Sequence, residues 1–346
     1  MAVTDEQVRE ALRRVKYPGF TRDIVSFGLV KDVAVDDGSV TVQLQLATND
    51  PAVPRTIKAE AESALRELPQ VREAKVLIDI HAPPAGAAAN AGPTRIDGIK
   101  HVIAIASGKG GVGKSTVAAN LAVALERTQA RTGLCGCDIY GPSIALMFGS
   151  RDQPMATDEN RIIPIEQYGL KLMSMGFLLD DTSPAILRGP MVTRYTQQFL
   201  RQVEWGELDY LVLDLPPGTG DIQLTIVQTV ALAGAIIVTT PQEVALIDAR
   251  KAATMFEKVN VPVLGLIENM SYFVSPDSGK RYDIFGSGGG EREAKRLRVP
   301  LLGQIPIDIA TRESGDRGLP IVAEANESPV AAEFMRIARQ LREELV

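Results

Sequence analysis

The sequence predicts an α/β fold, in which a mostly parallel sheet is covered by helices on both faces and is preceded by a small α+β domain. From residue 99 onward, short apolar runs alternate with segments of helical periodicity. Most of these runs are continuously apolar, which is typical of parallel strands buried on both faces. Before residue 82, one strand-like run alternates between apolar and polar residues, as expected for a sheet with one buried face.

The first predicted domain comprises residues 1–81, an ordinary size for a domain. Its first helix has Thr4 or Asp5 as the expected N-cap, and Asp36-Asp37-Gly38 is a hairpin signal between the first two strands. We expect a helix, two strands, a second helix and a third strand, in that order, over residues 5–16, 25–35, 39–47, 54–68 and 71–80.

Residues 82–98 are predicted to form a flexible linker, because Ala, Gly and Pro dominate the stretch A-P-P-A-G-A-A-A-N-A-G-P-T-R-I-D-G. Such small residues cannot bury enough apolar surface to order themselves. We therefore place the domain boundary here and expect the second domain to comprise residues 99–346.

The second domain is predicted to alternate strands with helices. The strands are expected over residues 102–106, 132–137, 171–175, 210–215, 235–239, 263–268 and 301–304. The helices are expected over residues 116–126, 191–202, 223–231, 244–259, 291–297 and 329–344. The last helix has charges of both signs on its polar face, which favours packing on the core over binding to a membrane. In such a sheet, ligands bind at the carboxyl ends of the strands.

A glycine-rich stretch, S-G-K-G-G-V-G-K-S-T at residues 107–116, joins the first of these strands to a helix. It matches the phosphate-binding loop, whose backbone N–H groups surround an anion at a helix N-terminus. Lys114 is expected to reach the β- and γ-phosphates and Ser115 to hold Mg²⁺. The fold is therefore predicted to be that of a P-loop NTPase, with a nucleotide bound by Gly108, Lys109, Gly110, Gly111, Val112, Gly113, Lys114, Ser115 and Thr116.

The same glycines permit a second interpretation. Gly108, Gly110 and Gly113 also match G-x-G-x-x-G, the dinucleotide fingerprint, and Asp138 follows the next apolar run as a ribose-binding carboxylate would. A dinucleotide site, however, needs neither a lysine nor a Mg²⁺-binding hydroxyl after the glycines, so Lys114-Ser115-Thr116 favours the phosphate loop. A glycine turn that binds no ligand is the remaining alternative.

Other strand ends in this domain supply polar groups for the same chemistry. Asp138 follows the second strand, and Asp214 ends an apolar strand, where a carboxylate commonly holds Mg²⁺ through water. Gly218 can offer a backbone N–H to a γ-phosphate, and the amide of Asn269 can contact the edge of a base. Each aspartate alone is equally well explained as a loop cap, but together with the loop they favour nucleotide hydrolysis.

Composition narrows the class of protein. The net charge of −6 argues against a general nucleic-acid binder, and no stretch approaches the length of a membrane span. The N-terminus lacks an apolar signal core, so we expect a cytoplasmic protein. Two cysteines and two histidines are too few for a disulfide framework or a zinc site within one chain.

The loop also contains an early lysine, Lys109. The stretch K-G-G-V-G-K-S-T, residues 109–116, resembles the deviant phosphate loop of the ATPases that include MinD, the arsenite-pump ATPase and the nitrogenase iron protein. This resemblance implies that Lys109 contacts nucleotide across an ATP-stabilised homodimer. It also implies that Asp138 orients the attacking water and that Asn269 contacts adenine.

Longer segments resemble the Mrp/ApbC family of iron–sulfur cluster carriers, and residues 1–81 resemble a PaaD-like iron–sulfur assembly domain. The resemblance implies slow ATP hydrolysis with Mg²⁺, coupled to a conformational change, and iron–sulfur apoproteins or assembly proteins as clients. The segments are D-I-Y-G-P-S at 138–143, R-G-P-M at 188–191, W-G-E-L-D-Y-L-V-L-D-L-P-P-G-T-G-D at 205–221, E-N-M-S-Y-F at 268–273 and Y-D-I-F-G-S-G-G-G at 282–290.

The sequence departs from that family at its cluster-binding motif. Where the family has C-x-x-C, which would place a [4Fe–4S] cluster between two subunits, this chain has Ser275 and Ser278. A serine hydroxyl is a poor ligand for soft iron–sulfur iron. The first domain likewise has no cysteine in the stretch N-D-P-A-V-P at residues 49–54, where a Cys-Pro is common. Cys135 and Cys137 could together supply four thiols in a dimer, but their place at a buried strand end favours core packing.

Three hypotheses follow. The chain is an ATP-hydrolysing homodimeric cluster carrier, or it is a cluster-free ATP-driven switch that binds a partner such as a cluster-loaded paralogue. A surface-partitioning factor like MinD is the third hypothesis, and the absence of a basic membrane anchor argues against it. Neither nucleic acid nor a membrane is expected as a partner.

Overall fold

The computed structural model describes residues 3–18, 23–36, 38–46, 52–80, 93–139, 141, 143–157, 159, 161–178, 189–324 and 328–345. Contacts within the chain divide it into two compact units. One contains a three-stranded sheet together with Pro154–Ile163, and the other contains an eight-stranded sheet. Most of the predicted linker, residues 82–92, lies outside the described residues. Thr94, near its predicted end, pairs with Val230 of the larger unit.

The smaller unit contains α1 (Asp5–Leu12), β1 (Val30–Asp36), β2 (Ser39–Leu46), α2 (Ala52–Arg66) and β3 (Glu73–Ile80). Strand β2 is central, antiparallel to β1 and parallel to β3. The alternating residues of β2 are all buried, as predicted, at Val40, Val42, Leu44 and Leu46.

Two boundaries in this unit differ from the predictions by four or five residues, and others by one or two. Helix α1 begins at its predicted cap, since the Thr4 side chain accepts a hydrogen bond from the Gln7 N–H, but it ends at Leu12. Strand β1 begins five residues later than predicted, at Val30 instead of residue 25. The Asp23 carboxylate accepts hydrogen bonds from the N–H groups of Val25 and Ser26, and these bonds hold a turn where a strand was expected.

The larger unit is built on strands β4 (Ile99–Ala106), β5 (Thr132–Gly136), β6 (Ile165–Gln167), β7 (Leu170–Ser174), β8 (Leu208–Asp214), β9 (Gly234–Thr239), β10 (Val263–Glu268), β11 (Phe273–Val274), β12 (Arg281–Tyr282) and β13 (Leu301–Gln304). The main sheet has the order β13-β10-β9-β4-β8-β5-β7-β6. All its pairings are parallel except that of the edge strand β6 with β7. Strands β11 and β12 form a separate antiparallel ribbon.

The helices of the larger unit are α3 (Lys114–Arg127), α4 (Ile144–Met147), α5 (Gly189–Arg201), α6 (Asp221–Thr229), α7 (Glu243–Lys258), α8 (Gly289–Leu297), α9 (Ile309–Asp316), α10 (Ile321–Glu324) and α11 (Pro329–Glu344). The alternation of helices with parallel strands confirms the predicted fold class. Helices α4, α9 and α10 were not predicted; α4 and α10 have only four residues each and show too little periodicity to be recognised.

Helices α3 and α11 pack together in the core of the larger unit. The apolar stripe of α11 is at most 2% exposed, at Val330, Phe334, Ile337 and Leu341. This burial agrees with the predicted packing of the last helix on the core. Among the described residues, no helix has the length and apolarity needed to cross a membrane.

Candidate functional site

The predicted phosphate loop, residues 107–116, leaves β4 and enters the buried helix α3. Gly111 and Gly113 have φ angles of +81° and +77°, which favour glycine. Two other contacts also require the absence of a side chain. A Cβ on Gly108 would lie 2.0 Å from the Asp248 carbonyl oxygen, and a Cβ on Gly113 would lie 2.2 Å from Asn269 Nδ2. The loop is thus pressed against α7 and the end of β10, with the N-terminus of α3 open to an anion.

A buried ion pair lies at the base of this loop. Lys114 Nζ and Asp214 Oδ1 are 2.6 Å apart, and the two side chains are 6% and 2% exposed. Burial raises the pKa of the Asp214 carboxyl, while the Lys114 ammonium and the Ser115 hydroxyl oppose that rise. The Ser115 hydroxyl and the Asp214 carboxylate are hard oxygen donors close to each other, so they fit the preferences of Mg²⁺.

Asp138 follows β5 and lies near enough to Asp214 to add to the rise of its pKa. Its carboxylate accepts a hydrogen bond from the Gly141 N–H at 3.2 Å, so it also has the capping contact that the sequence analysis left open. Lys109 is half-buried in the loop. Gly218 has a φ of +96°, and its N–H donates to the Ser107 carbonyl at 3.0 Å. A contact from Gly218 to a γ-phosphate would therefore require this hydrogen bond to open.

A cavity of about 520 Å³, here called the base cavity, lies beside the phosphate loop. Gly113, Thr116 and Asn269 line it, and the Asn269 amide donates to the Val112 carbonyl at 2.8 Å. The opposite wall is largely apolar and includes Met270, Phe285, Ile305, Ile307 and Ile309. Asn120, Asp308, Arg312 and Asp316 add polar groups to the lining. The volume lies within the range of small-molecule sites, and a largely apolar wall with a few polar groups suits a purine base.

Asn269 was predicted from the sequence, but the wall of the base cavity that follows β13 was not. That segment, Ile305-Pro306-Ile307-Asp308, lies at the carboxyl end of a parallel strand. The strand-end rule applied to the other strands would have pointed to it as well.

The two cysteines are fully buried at the end of β5, with their sulfur atoms 3.8 Å apart. The contact with Cys135 and burial raise the pKa of the Cys137 thiol, which disfavours the thiolate that a metal ligand needs. Within the described part of the chain, no three His, Cys, Asp or Glu side chains are grouped to hold a metal ion.

Ser275 and Ser278 lie in the turn that joins β11 to β12. The Ser275 N–H donates to the Lys280 carbonyl, and the Gly279 N–H donates to the Ser275 carbonyl. Ser278 is exposed. The turn that would carry a C-x-x-C pair is therefore formed, but it presents hydroxyl groups. Of residues 49–54, where a Cys-Pro is common in the family, 49–51 fall outside the described residues, and Ala52, Val53 and Pro54 begin α2.

Comparisons with known proteins assign both parts of the chain. A family model described as NUBPL iron-transfer P-loop NTPase matches residues 98–342, and one described as iron–sulfur cluster assembly protein matches residues 5–78. The iron–sulfur cluster carrier protein of Synechocystis is 46% identical, over 98% of this chain and 97% of the relative. That of Deinococcus radiodurans is 45% identical, over 97% of this chain and 94% of the relative.

Solved structures agree on the fold of the larger unit. The nucleotide-binding protein of Archaeoglobus fulgidus, in complex with ADP, is 40% identical with a TM-score of 0.58, over 65% of this chain and 88% of that one. The cell division ATPase MinD of Pyrococcus furiosus is 24% identical with a TM-score of 0.57, over 71% of this chain and 99% of that one, and supports the fold alone.

Proposed function

The chain belongs to the family of NUBPL iron-transfer P-loop NTPases, and on that premise we propose that it is an ATP-hydrolysing iron–sulfur cluster carrier that works as a homodimer. The observation that carries this proposal is the buried Lys114–Asp214 pair, 2.6 Å from nitrogen to oxygen, at the phosphate loop beside the base cavity. This buried pair places an ammonium group that can bind phosphate beside a carboxylate that can bind a cation.

In the proposed binding step, the base enters the base cavity against Asn269, and the phosphates meet the loop N–H groups and the α3 N-terminus. The Lys114 ammonium then exchanges the Asp214 carboxylate for the β- and γ-phosphates. Ser115 and Asp214, the latter through water, would hold Mg²⁺, which neutralises phosphate charge when bound.

In the proposed hydrolysis step, Asp138 accepts a hydrogen bond from the water that attacks the γ-phosphorus, and ADP leaves with the bridging oxygen. The Gly218 N–H moves from the Ser107 carbonyl to the γ-phosphate before hydrolysis and returns afterwards. Loss of the γ-phosphate would thereby relax the loop after β8, a switch that is driven by the nucleotide. We expect slow turnover, because the switch acts as a timer.

The homodimer is proposed to close across the nucleotide, with Lys109 reaching the phosphates of the facing subunit. Helix α7 supports this arrangement, because it touches the phosphate loop at Gly108 and has apolar side chains on its surface. Val244 and Ile247 are 64% and 41% exposed and lie one turn apart. A two-fold interface would bury such side chains against a second copy of the same helix.

A second candidate function is favoured by the turn between β11 and β12, residues 275–280, here called the ribbon turn. Ser275 and Ser278 stand where thiolates are expected, and both thiols of the chain are fully buried. The chain could then act as a cluster-free ATP-driven switch, with the cluster held by the cysteines of a partner such as a cluster-loaded paralogue. Both candidates share the ATPase site and differ only in which protein ligates the iron.

The ATPase proposal is tested with Lys114→Ala. Removing the ammonium should lower kcat for ATP by at least about a hundredfold, because a preorganised charge at the transferred phosphate is lost. Lys295→Ala, which removes an exposed lysine of α8, is the matched control and should keep the wild-type rate. Phosphate release at wild-type speed from the Lys114 variant would show that the site is wrongly assigned.

A further inference from the structure

The side chain of Glu268, at the end of β10, is fully buried and joins three separate segments. Its carboxylate accepts hydrogen bonds from the Ser271 hydroxyl at 2.6 Å, the Gln304 amide at 2.8 Å and the Gly290 N–H at 2.5 Å. The last of these is an otherwise unpaired donor in the first turn of α8. A buried carboxylate with three donors is held rigidly, because losing any one would leave a polar group unpaired.

Two of these donors mark the ends of one excursion of the chain. Residues 272–289, here called the ribbon loop, contain β11, β12 and the turn with Ser275 and Ser278. Ser271 immediately precedes the ribbon loop and Gly290 immediately follows it. The space at the second end is tight, since a Cβ on Gly290 would lie 2.8 Å from Glu268 Oε2. Glu268 therefore closes the base of the ribbon loop.

The ribbon loop also meets the base cavity directly. Phe285, in the limb that returns from β12 to α8, lines that cavity. At the outgoing limb, the Ser271 N–H donates to the Ile305 carbonyl, and the Ile307 N–H donates to the Tyr272 carbonyl. Ile305 and Ile307 are themselves walls of the base cavity. Both limbs are thus joined to the surface that a base would touch.

From this geometry we infer that a base in the base cavity sets the position of the ribbon loop, with Phe285 as the contact and Glu268 as the positioning residue that anchors the loop. This inference rests on the proposed nucleotide site and adds a route by which the nucleotide controls the ribbon. In this family, a cluster or a partner protein is expected to bind at the turn that corresponds to Ser275 and Ser278. Occupancy of the base cavity would then alter the surface that such a partner meets.

Hydrogen–deuterium exchange on the full chain tests the inference, with Mg-ADP and Mg-triphosphate, the inorganic anion without a base, as probes. Both probes should slow exchange in the phosphate loop. Mg-ADP alone should also slow exchange in residues 273–285, by about tenfold, which lies within the usual range for coupled sites. An equal response of the ribbon loop to triphosphate, or no response to ADP, would overturn the inference.

Two variants locate the coupling. At saturating Mg-ADP, Phe285→Ala should keep protection of the phosphate loop and lose protection of the ribbon loop. Glu268→Gln should do the same, because one carboxylate oxygen becomes an amide that cannot accept from its donor. Glu293→Gln is the matched control: this buried carboxylate of α8 pairs with Arg250 of α7, so its loss should leave the ribbon response intact.

Failure of the coupling to the ribbon loop and failure of the proposed nucleotide site give different results. A ribbon response of wild-type size in Phe285→Ala would overturn the inference even if Glu268→Gln failed to fold. Loss of the response in Glu293→Gln as well would show a general loosening of α8 and would also overturn it. Absence of ADP protection at the phosphate loop of the wild type would overturn the proposed nucleotide site, and this inference with it.

Discussion

Lys109 and Lys114 lie in the same loop, but their side chains have different surroundings. Lys114 is buried against Asp214, whereas no ion pair joins Lys109 to another described residue. A buried lysine without a partner would be costly, so in the proposed binding step the Lys114–Asp214 pair persists until phosphate replaces the carboxylate. This difference is consistent with the proposed role of Lys109 across the homodimer.

Lys109→Ala is therefore expected to reduce ATP-dependent dimerisation by about tenfold, the equivalent of one charge-assisted hydrogen bond, while ADP still binds. Light scattering at several protein concentrations measures the dimer fraction with and without ATP. Lys295→Ala again serves as the control. A dimer fraction that is unchanged in Lys109→Ala would remove the role of this residue across the interface.

At the scale of elements, a carboxylate at the start of β8 links three strands, at the end of β8 opposite to Asp214. Asp209 Oδ1 lies 2.8 Å from Lys100 Nζ of β4, and Asp209 Oδ2 accepts from the Arg131 N–H just before β5. The hydrogen bond from Lys100 is the main reason that the pKa of Asp209 is lowered to about 2. The folded state therefore stabilises the charged form of this group.

Asp209→Asn should lower the free energy of unfolding at pH 7 by about 1 kcal/mol, less than the full pKa shift implies because the Lys100 side chain is exposed to solvent. Because the folded pKa lies below the unfolded value, this stabilisation is complete above about pH 4 and is lost as the pH falls toward 2. Urea unfolding at pH 7 and pH 3 measures the difference between wild type and variant. A difference that stays constant or grows at pH 3 would contradict the assignment.

At the scale of the whole molecule, the chain has the residues expected for an ATPase site but lacks the C-x-x-C pair expected for a cluster site. The residues predicted to bind nucleotide converge from the ends of β4, β5, β8 and β10, whereas the turn between β11 and β12 offers two serines and the thiols are buried elsewhere. Such a molecule can use ATP, but neither of its two cysteine thiols is exposed to ligate iron. The iron would then be ligated by a partner.

If a partner holds the cluster, anaerobic reconstitution with iron and sulfide, followed by desalting, should leave no iron on the wild-type chain, as read by visible absorbance and iron per dimer. The proposed carrier function, in which this chain ligates the cluster, predicts that iron is retained. The double substitution Ser275→Cys and Ser278→Cys should restore up to one cluster per dimer, since two subunits then provide four thiolates. Wild-type protein that retained a cluster would favour ligation by this chain itself. Cys135→Ser and Cys137→Ser would then identify the ligands.

The sequence by itself determined those features that depend only on residues close together in the chain. Continuous apolar runs predicted the parallel strands, and the spacing of glycines before Lys114 and Ser115 predicted the phosphate loop, because both patterns reflect the local geometry of the backbone. Elements of two to four residues, such as β11, β12 and α4, escaped because too few residues carry their pattern.

Only the tertiary structure decided which distant residues meet. The pairing of Lys114 with Asp214, a hundred residues apart, depends on β4 lying beside β8 in the sheet. The contact of Asn269 with Val112 and the joining of the ribbon loop to the base cavity through Glu268 and Phe285 depend equally on strand order. The order of strands is a property of the packed sheet, where long-range contacts compete for the same buried positions, and no local pattern encodes it.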